Sequence, residues 1–113
     1  MAFRIEKDIG SFNPGSGAPE RGAIFMDLRE QKYVCTLAEL GNLTRAAERL
    51  YISQPALSIY ITNLEKNLGT PLFDRSGKKF TLTYAGEQYV KRAEKMLELE
   101  REFNEEIEKI SRE

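Results

Sequence analysis

Between residues 27 and 110 the apolar positions fall into four helical stripes, separated by Gly, Asn, Ser and Pro, with one short stretch of strand-like pattern. Leu28, Tyr33, Val34, Leu37 and Ala38 form the first stripe. The spacing predicts a helix from about Asp27, which can cap it, to Leu40, with Gly41 as a left-handed C-cap. Asn42 is placed to cap a second helix, Leu43 to about Leu50, whose inner side is Leu43, Ala46, Ala47 and Leu50. The paired alanines allow another helix to approach closely. Ser53 caps a third helix, and Gln54-Pro55 suits a first turn, where the missing proline N–H costs nothing. Leu57, Ile61, Leu64 and Leu68 make one buried face; Pro55, Ile59, Thr62 and Lys66 point the opposite way, with Ser58 on the flank. Gly69 ends that helix.

From Pro71 to Thr83 the pattern changes to that of a β-hairpin. Leu72-Phe73 and Phe80-Thr81-Leu82 are the strand candidates, joined through Ser76-Gly77 and Lys78-Lys79. Thr83 caps a last helix reaching about Ile110. Along it Tyr89, Ala93, Met96, Phe103, Ile107 and Ile110 alternate by four and three, broken only at Glu100, with Leu99 beside it. So long a seam calls for a partner helix, most simply from a second copy of the chain; a core stripe beneath a further domain is the other reading. Residues 1–25 differ. Ser11 to Pro19 is turn and linker composition, read as a flexible extension, native or vector-derived, with Met26 a natural start. Three regions are therefore expected: 1–25, a compact domain at 26–83, and a linker or dimerisation helix at 84–113.

Charge sharpens this division. The chain carries 17 basic and 18 acidic residues, a net charge of −1, which by itself argues against a nucleic-acid binder. The distribution says otherwise. From Asn42 to Thr83 six basic side chains face three acidic ones, whereas from Tyr84 to the end six face nine. Cys35, the single cysteine, sits in an apolar helical stretch and reads as a small buried side chain in a reducing, cytoplasmic setting. No apolar run approaches the roughly 20 residues of a membrane span. There is no His, no metal-ligand cluster, no P-loop and no dinucleotide fingerprint, so no catalytic, metal or cofactor site is expected.

The run Ala46-Ala47-Glu48-Arg49-Leu50, then Ile52-Ser53-Gln54-Pro55-Ala56-Leu57-Ser58, Leu64-Glu65, Leu68-Gly69, Leu72-Phe73, Arg75, Leu82-Thr83 and Ala85-Gly86 resembles the N-terminal domain of LysR-type transcriptional regulators. The resemblance covers about Met26 to Met96 without gaps. It implies a mainly α fold: a winged helix-turn-helix of three helices and a small β-hairpin wing, followed by a long linker helix that dimerises antiparallel. It also implies sequence-specific binding of double-stranded DNA and transcriptional regulation. The effector-binding domain usual in that family, and with it any small-molecule effector, has no counterpart in these 113 residues.

On that resemblance the third helix enters the major groove, with Ser53 as its cap. Gln54 can pair with adenine, Pro55 can meet a thymine methyl, and Ser58 and Thr62 can reach a phosphate or base edge. Many family members carry Arg or another polar residue where this chain has Ile59. An outward Ile suits a thymine methyl better than guanine; an exposed or interface residue is its plainer reading. Asn42, Thr44 and Arg45 are placed for phosphates. Arg75, Lys78 and Lys79 fall on the wing, where narrow A·T-rich minor grooves favour cations. Arg75 competes for an acid such as Asp74 or Glu65, and Lys78 and Lys79 also read as solubilising charges. Tyr89, Ala93, Met96, Phe103, Ile107 and Ile110 are the dimerisation candidates. A protein-interaction module on a winged-helix scaffold is the alternative from another class. RNA is disfavoured because A-form major grooves do not admit helices.

Overall fold

A computed structural model describes residues 28–112; the expected extension at 1–25 lies outside them. Within that range the chain forms α1 (Arg29–Leu40), α2 (Leu43–Leu50), α3 (Gln54–Leu68), β1 (Phe73–Asp74), β2 (Thr81–Leu82) and α4 (Tyr84–Ser111). Side-chain caps fix most of the boundaries. Asn42 accepts the Arg45 N–H at 2.9 Å, Ser53 that of Ala56 at 3.1 Å, and Thr83 that of Gly86 at 3.0 Å. Gly41 and Gly69 close α1 and α3 with φ of 64° and 77°. The start of α1 differs from expectation. Asp27 is outside the described residues, and the N-cap position is held by Leu28, which makes no side-chain cap bond.

One core unites the elements: Val34 and Leu37 from α1, Ala46 and Ala47 from α2, Leu57, Ile61 and Leu64 from α3, and Leu72 and Phe73 at the wing. The alanines bring α2 against its neighbours, as their size allows. Leu68, expected on the same buried face as Leu57, is instead 46% exposed. It is the last residue of α3, and the helix has by then run past the core. The turn between α2 and α3 departs from the usual turn chemistry. Tyr51 takes the left-handed conformation, φ 61°, that Gly or Asn adopts at least cost.

The strands pair antiparallel, Phe73 with Leu82 and Asp74 with Thr81, so β1 begins one residue later than the sequence pattern suggested. Just ahead of the ladder, the Leu72 N–H donates to the Glu65 carboxylate at 2.7 Å, and the Phe73 N–H joins the same oxygen at 3.1 Å. Asp74 accepts from the Ser76 N–H and hydroxyl, and these bonds hold its carboxyl below the usual range.

α4 packs on α1 only as far as Glu100. Tyr89 donates its hydroxyl to Glu30, Ala93 is buried, and Lys32 meets Glu100 at 3.6 Å. Residues 101–112 are all exposed. Glu100, which broke the seam in sequence, is 7% exposed and seated against the body. Cys35 is half-buried beside this junction. Burial, and secondarily the Glu94 charge, push its thiol up to about 11. The fold therefore favours the neutral thiol. This contribution to stability is complete below the unfolded thiol's pKa of about 9 and is lost as pH rises through about 11. Iodoacetamide at pH 8 is expected to alkylate native Cys35 at least about tenfold more slowly than the urea-unfolded chain, because the thiolate is the reactive form. Equal rates would show the thiol to be unperturbed.

Candidate nucleic-acid interface

Three stretches distant in sequence meet along one contiguous ridge. The Thr44 hydroxyl, in the first turn of α2, donates to Gln54 Oε1 at 2.8 Å, joining the starts of α2 and α3. The Phe80 N–H donates to the Gly41 carbonyl at 3.0 Å, tying β2 to the loop that opens α2. A Cβ placed on Gly41 would lie 3.9 Å from Lys79 Cβ, so the wing's lysine starts beside Asn42. Wing, α2 start and α3 start thus form one surface. Two helix N-termini on it offer unpaired N–H groups and positive dipole ends, suited to anions.

The cations sort into two groups. Arg49 pairs with Glu39 at 3.6 Å, and Arg75 with Glu65 at 3.0 Å. Among the described residues no ion pair engages Arg45, Lys66, Lys78 or Lys79. Arg75 also lies 5.2 Å above the centre of the Phe80 ring. It fastens the wing to α3 by charge and cation–π contact, with Glu65 rather than Asp74 as its acid. Arg45, Lys78 and Lys79 are exposed on the ridge side chains' own elements and uncommitted.

On α3, Ser53, Gln54, Pro55 and Ile59 are exposed, Ile59 to 61%, while Ser58 and Thr62 are half-buried. Tyr60, next to Ile59, turns inward to an edge-on contact with Tyr33, ring centres 4.7 Å apart. Sequence reasoning missed Tyr51, which is 94% exposed two residues before the α3 cap. It is the C-cap of α2, in the left-handed conformation. The proposed seam of α4 divides in two. Ala93, 1% exposed, and half-buried Tyr89 are committed within the chain. Met96, Leu99, Phe103, Ile107 and Ile110 are 40–62% exposed, Leu99 being an addition to the expected set.

Two helices crossing at a short turn, a third packed behind them and a two-stranded wing define a winged helix-turn-helix protein. The model of the bacterial regulatory helix-turn-helix proteins of the lysR family matches residues 28–87, and the chain belongs to that family. It is 45% identical over 73 residues to the HTH-type transcriptional regulator BsdA of Bacillus subtilis, covering 64% of this chain and 25% of that protein. Among solved structures it resembles the "BenM_DBD/catB site 1 DNA Complex", with a TM-score of 0.72 and 32% identity over 76% of this chain and 96% of that one. It also resembles the "CbnR_DBD-DNA complex", with a TM-score of 0.67 and 35% identity over 76% and 99% of the two chains. The chain spans about a quarter of the length of the curated relatives it matches. Those relatives are transcriptional regulators. No helix among the described residues is long and apolar enough to cross a membrane, and no group of three or more His, Cys, Asp or Glu there could hold a metal.

Proposed function

We propose that this chain binds double-stranded DNA as a homodimer and regulates transcription, without enzymatic activity and in the cytoplasm. The observation that carries it is the ridge itself: the α3 start, the α2 start and the wing are joined by Thr44–Gln54 and Gly41–Phe80, with unpaired cations along them. The similarity to protein chains solved on DNA supports the same reading. α3 lies in the major groove. Gln54 and Pro55 lead, Ile59 follows onto thymine methyls, and Ser53, Ser58 and Thr62 flank them. Asn42, Arg45, Lys78 and Lys79 hold phosphates on either side. Arg75 acts through the wing it anchors. The exposed part of the α4 seam joins two copies, so that two α3 helices read two half-sites.

Affinity for duplex DNA is then expected to fall steeply with salt, the slope of log K on log [salt] growing by roughly 0.9 per phosphate held. Fluorescence anisotropy of the chain on duplex selected from a random pool measures it; binding indifferent to salt would exclude this reading. Ile59→Arg, at a site 61% exposed, is expected to strengthen non-specific binding, steepen the slope by roughly one and shift preference from thymine towards guanine. An unchanged slope and ranking would place Ile59 away from DNA.

A further inference from the structure

We infer that Thr44 is a positioning residue for sequence readout: its hydroxyl presets the Gln54 amide before DNA arrives. The inference rests on the reading of α3 as the helix that meets base edges. Thr44 and Gln54 are ten residues apart, on different helices, and both are exposed, yet Thr44 Oγ1 lies 2.8 Å from Gln54 Oε1. A threonine hydroxyl has one proton to give. Donated to Gln54, it is unavailable to a phosphate, so the nearby phosphates fall to Arg45, the helix N–H groups and the wing.

An unrestrained glutamine at a helix start samples many rotamers and must be ordered when it binds. Here the carbonyl end of the amide is drawn back toward α2. Among the described residues no hydrogen bond engages Gln54 Nε2, so both its hydrogens remain uncommitted. Gln54 is thereby presented as a donor, suited to the acceptors of the major groove, purine N7, guanine O6 and thymine O4. One lone pair of Oε1 is still open, so adenine remains readable through N6 and N7 together. The hydroxyl supplies preorganisation and direction, and Gln54 makes the contact.

The test pairs Thr44→Val, which keeps the shape and removes the hydroxyl, with Thr44→Ser, which keeps the hydroxyl. Thr44→Val is expected to lose about tenfold in discrimination at the base pair Gln54 reads, with the salt slope unchanged. Thr44→Ser is expected to match the parent chain. In a Gln54→Ala background, Thr44→Val should add nothing. Independently of DNA, NMR relaxation of the Gln54 side-chain NH2 should show greater mobility in Thr44→Val and not in Thr44→Ser. Weakening that is uniform over all duplexes, and equal in the Gln54→Ala background, would mean that the hydroxyl serves a phosphate and would overturn the inference. Unchanged NH2 relaxation would overturn it as well. A parent chain with no salt-dependent duplex binding would overturn the readout role together with the DNA-binding reading, whereas loss of the NH2 effect alone leaves that reading standing.

Discussion

Gly86→Ala is expected to destabilise the protein by about 3 kcal/mol, at the upper end for an inserted methyl group. Helix propensity points the other way, since Ala in place of Gly favours a helix by about 1 kcal/mol. The contact geometry decides the sign. A Cβ on Gly86 would stand 2.0 Å from the Leu72 carbonyl oxygen and 2.9 Å from Leu82 Cδ2. The carbonyl cannot yield freely, because it accepts the Thr83 N–H at 3.0 Å. Thr83 in turn caps α4 and donates its hydroxyl to the Pro71 carbonyl at 2.8 Å. Moving Leu72 would also pull on the Glu65 carboxylate that holds the wing. Thermal unfolding followed by circular dichroism should show Tm lowered by more than about 10 °C, given roughly 4–8 °C per kcal/mol for a domain this small. A Tm equal to or above the parent's would mean that α4 and the wing do not approach so closely.

Replacing both Phe103 and Ile107 by Glu is expected to convert a dimer into a monomer. At about 100° per residue, Met96, Leu99, Phe103, Ile107 and Ile110 fall within an arc of about 80°. All five are at least 40% exposed, on a helix that has left the body after Glu100. An apolar stripe of this length on bare helix is stable when another helix covers it. The helix should survive the substitutions. Arg101 bridges Glu98 and Glu105, and Arg112 pairs with Glu108 at 2.9 Å, on the charged side of α4. Sedimentation at micromolar concentration should report the monomer. Affinity for a duplex with two half-sites should drop by about 100-fold or more, with single half-site binding unchanged, because the second contact becomes bimolecular. A double variant that remained dimeric would assign the seam to some other cover.

The glycine of Ala85-Gly86 and the apolar seam both stand in the sequence. The carbonyl that confines Gly86, and the point at which the seam leaves the body, do not. The caps Asn42, Ser53 and Thr83 were legible because a cap is a bond over three residues, set by local backbone geometry. The buried face of α3 was legible as far as Leu64 for the same reason: a helix repeats every 3.6 residues whatever surrounds it. Leu68 keeps that period and is exposed, because the extent of the core is not a local property.

Charged residues show the limit most clearly. Arg75 offered two acids in the sequence, Asp74 one residue away and Glu65 ten residues away, and the folded chain pairs it with Glu65. Glu100 read as a flaw in a seam and is buried at the α1–α4 junction beside Lys32. Nothing in the spacing of Thr44 and Gln54 announced the bond that joins them across two helices. Periodicity and capping, which depend on neighbours in the chain, determined the helices and their order. Pairings between side chains far apart in sequence depend on where the packed helices and the wing finally stand. Only the tertiary structure decided which cations are tied down, which stay unpaired, and that Gln54 is held by Thr44.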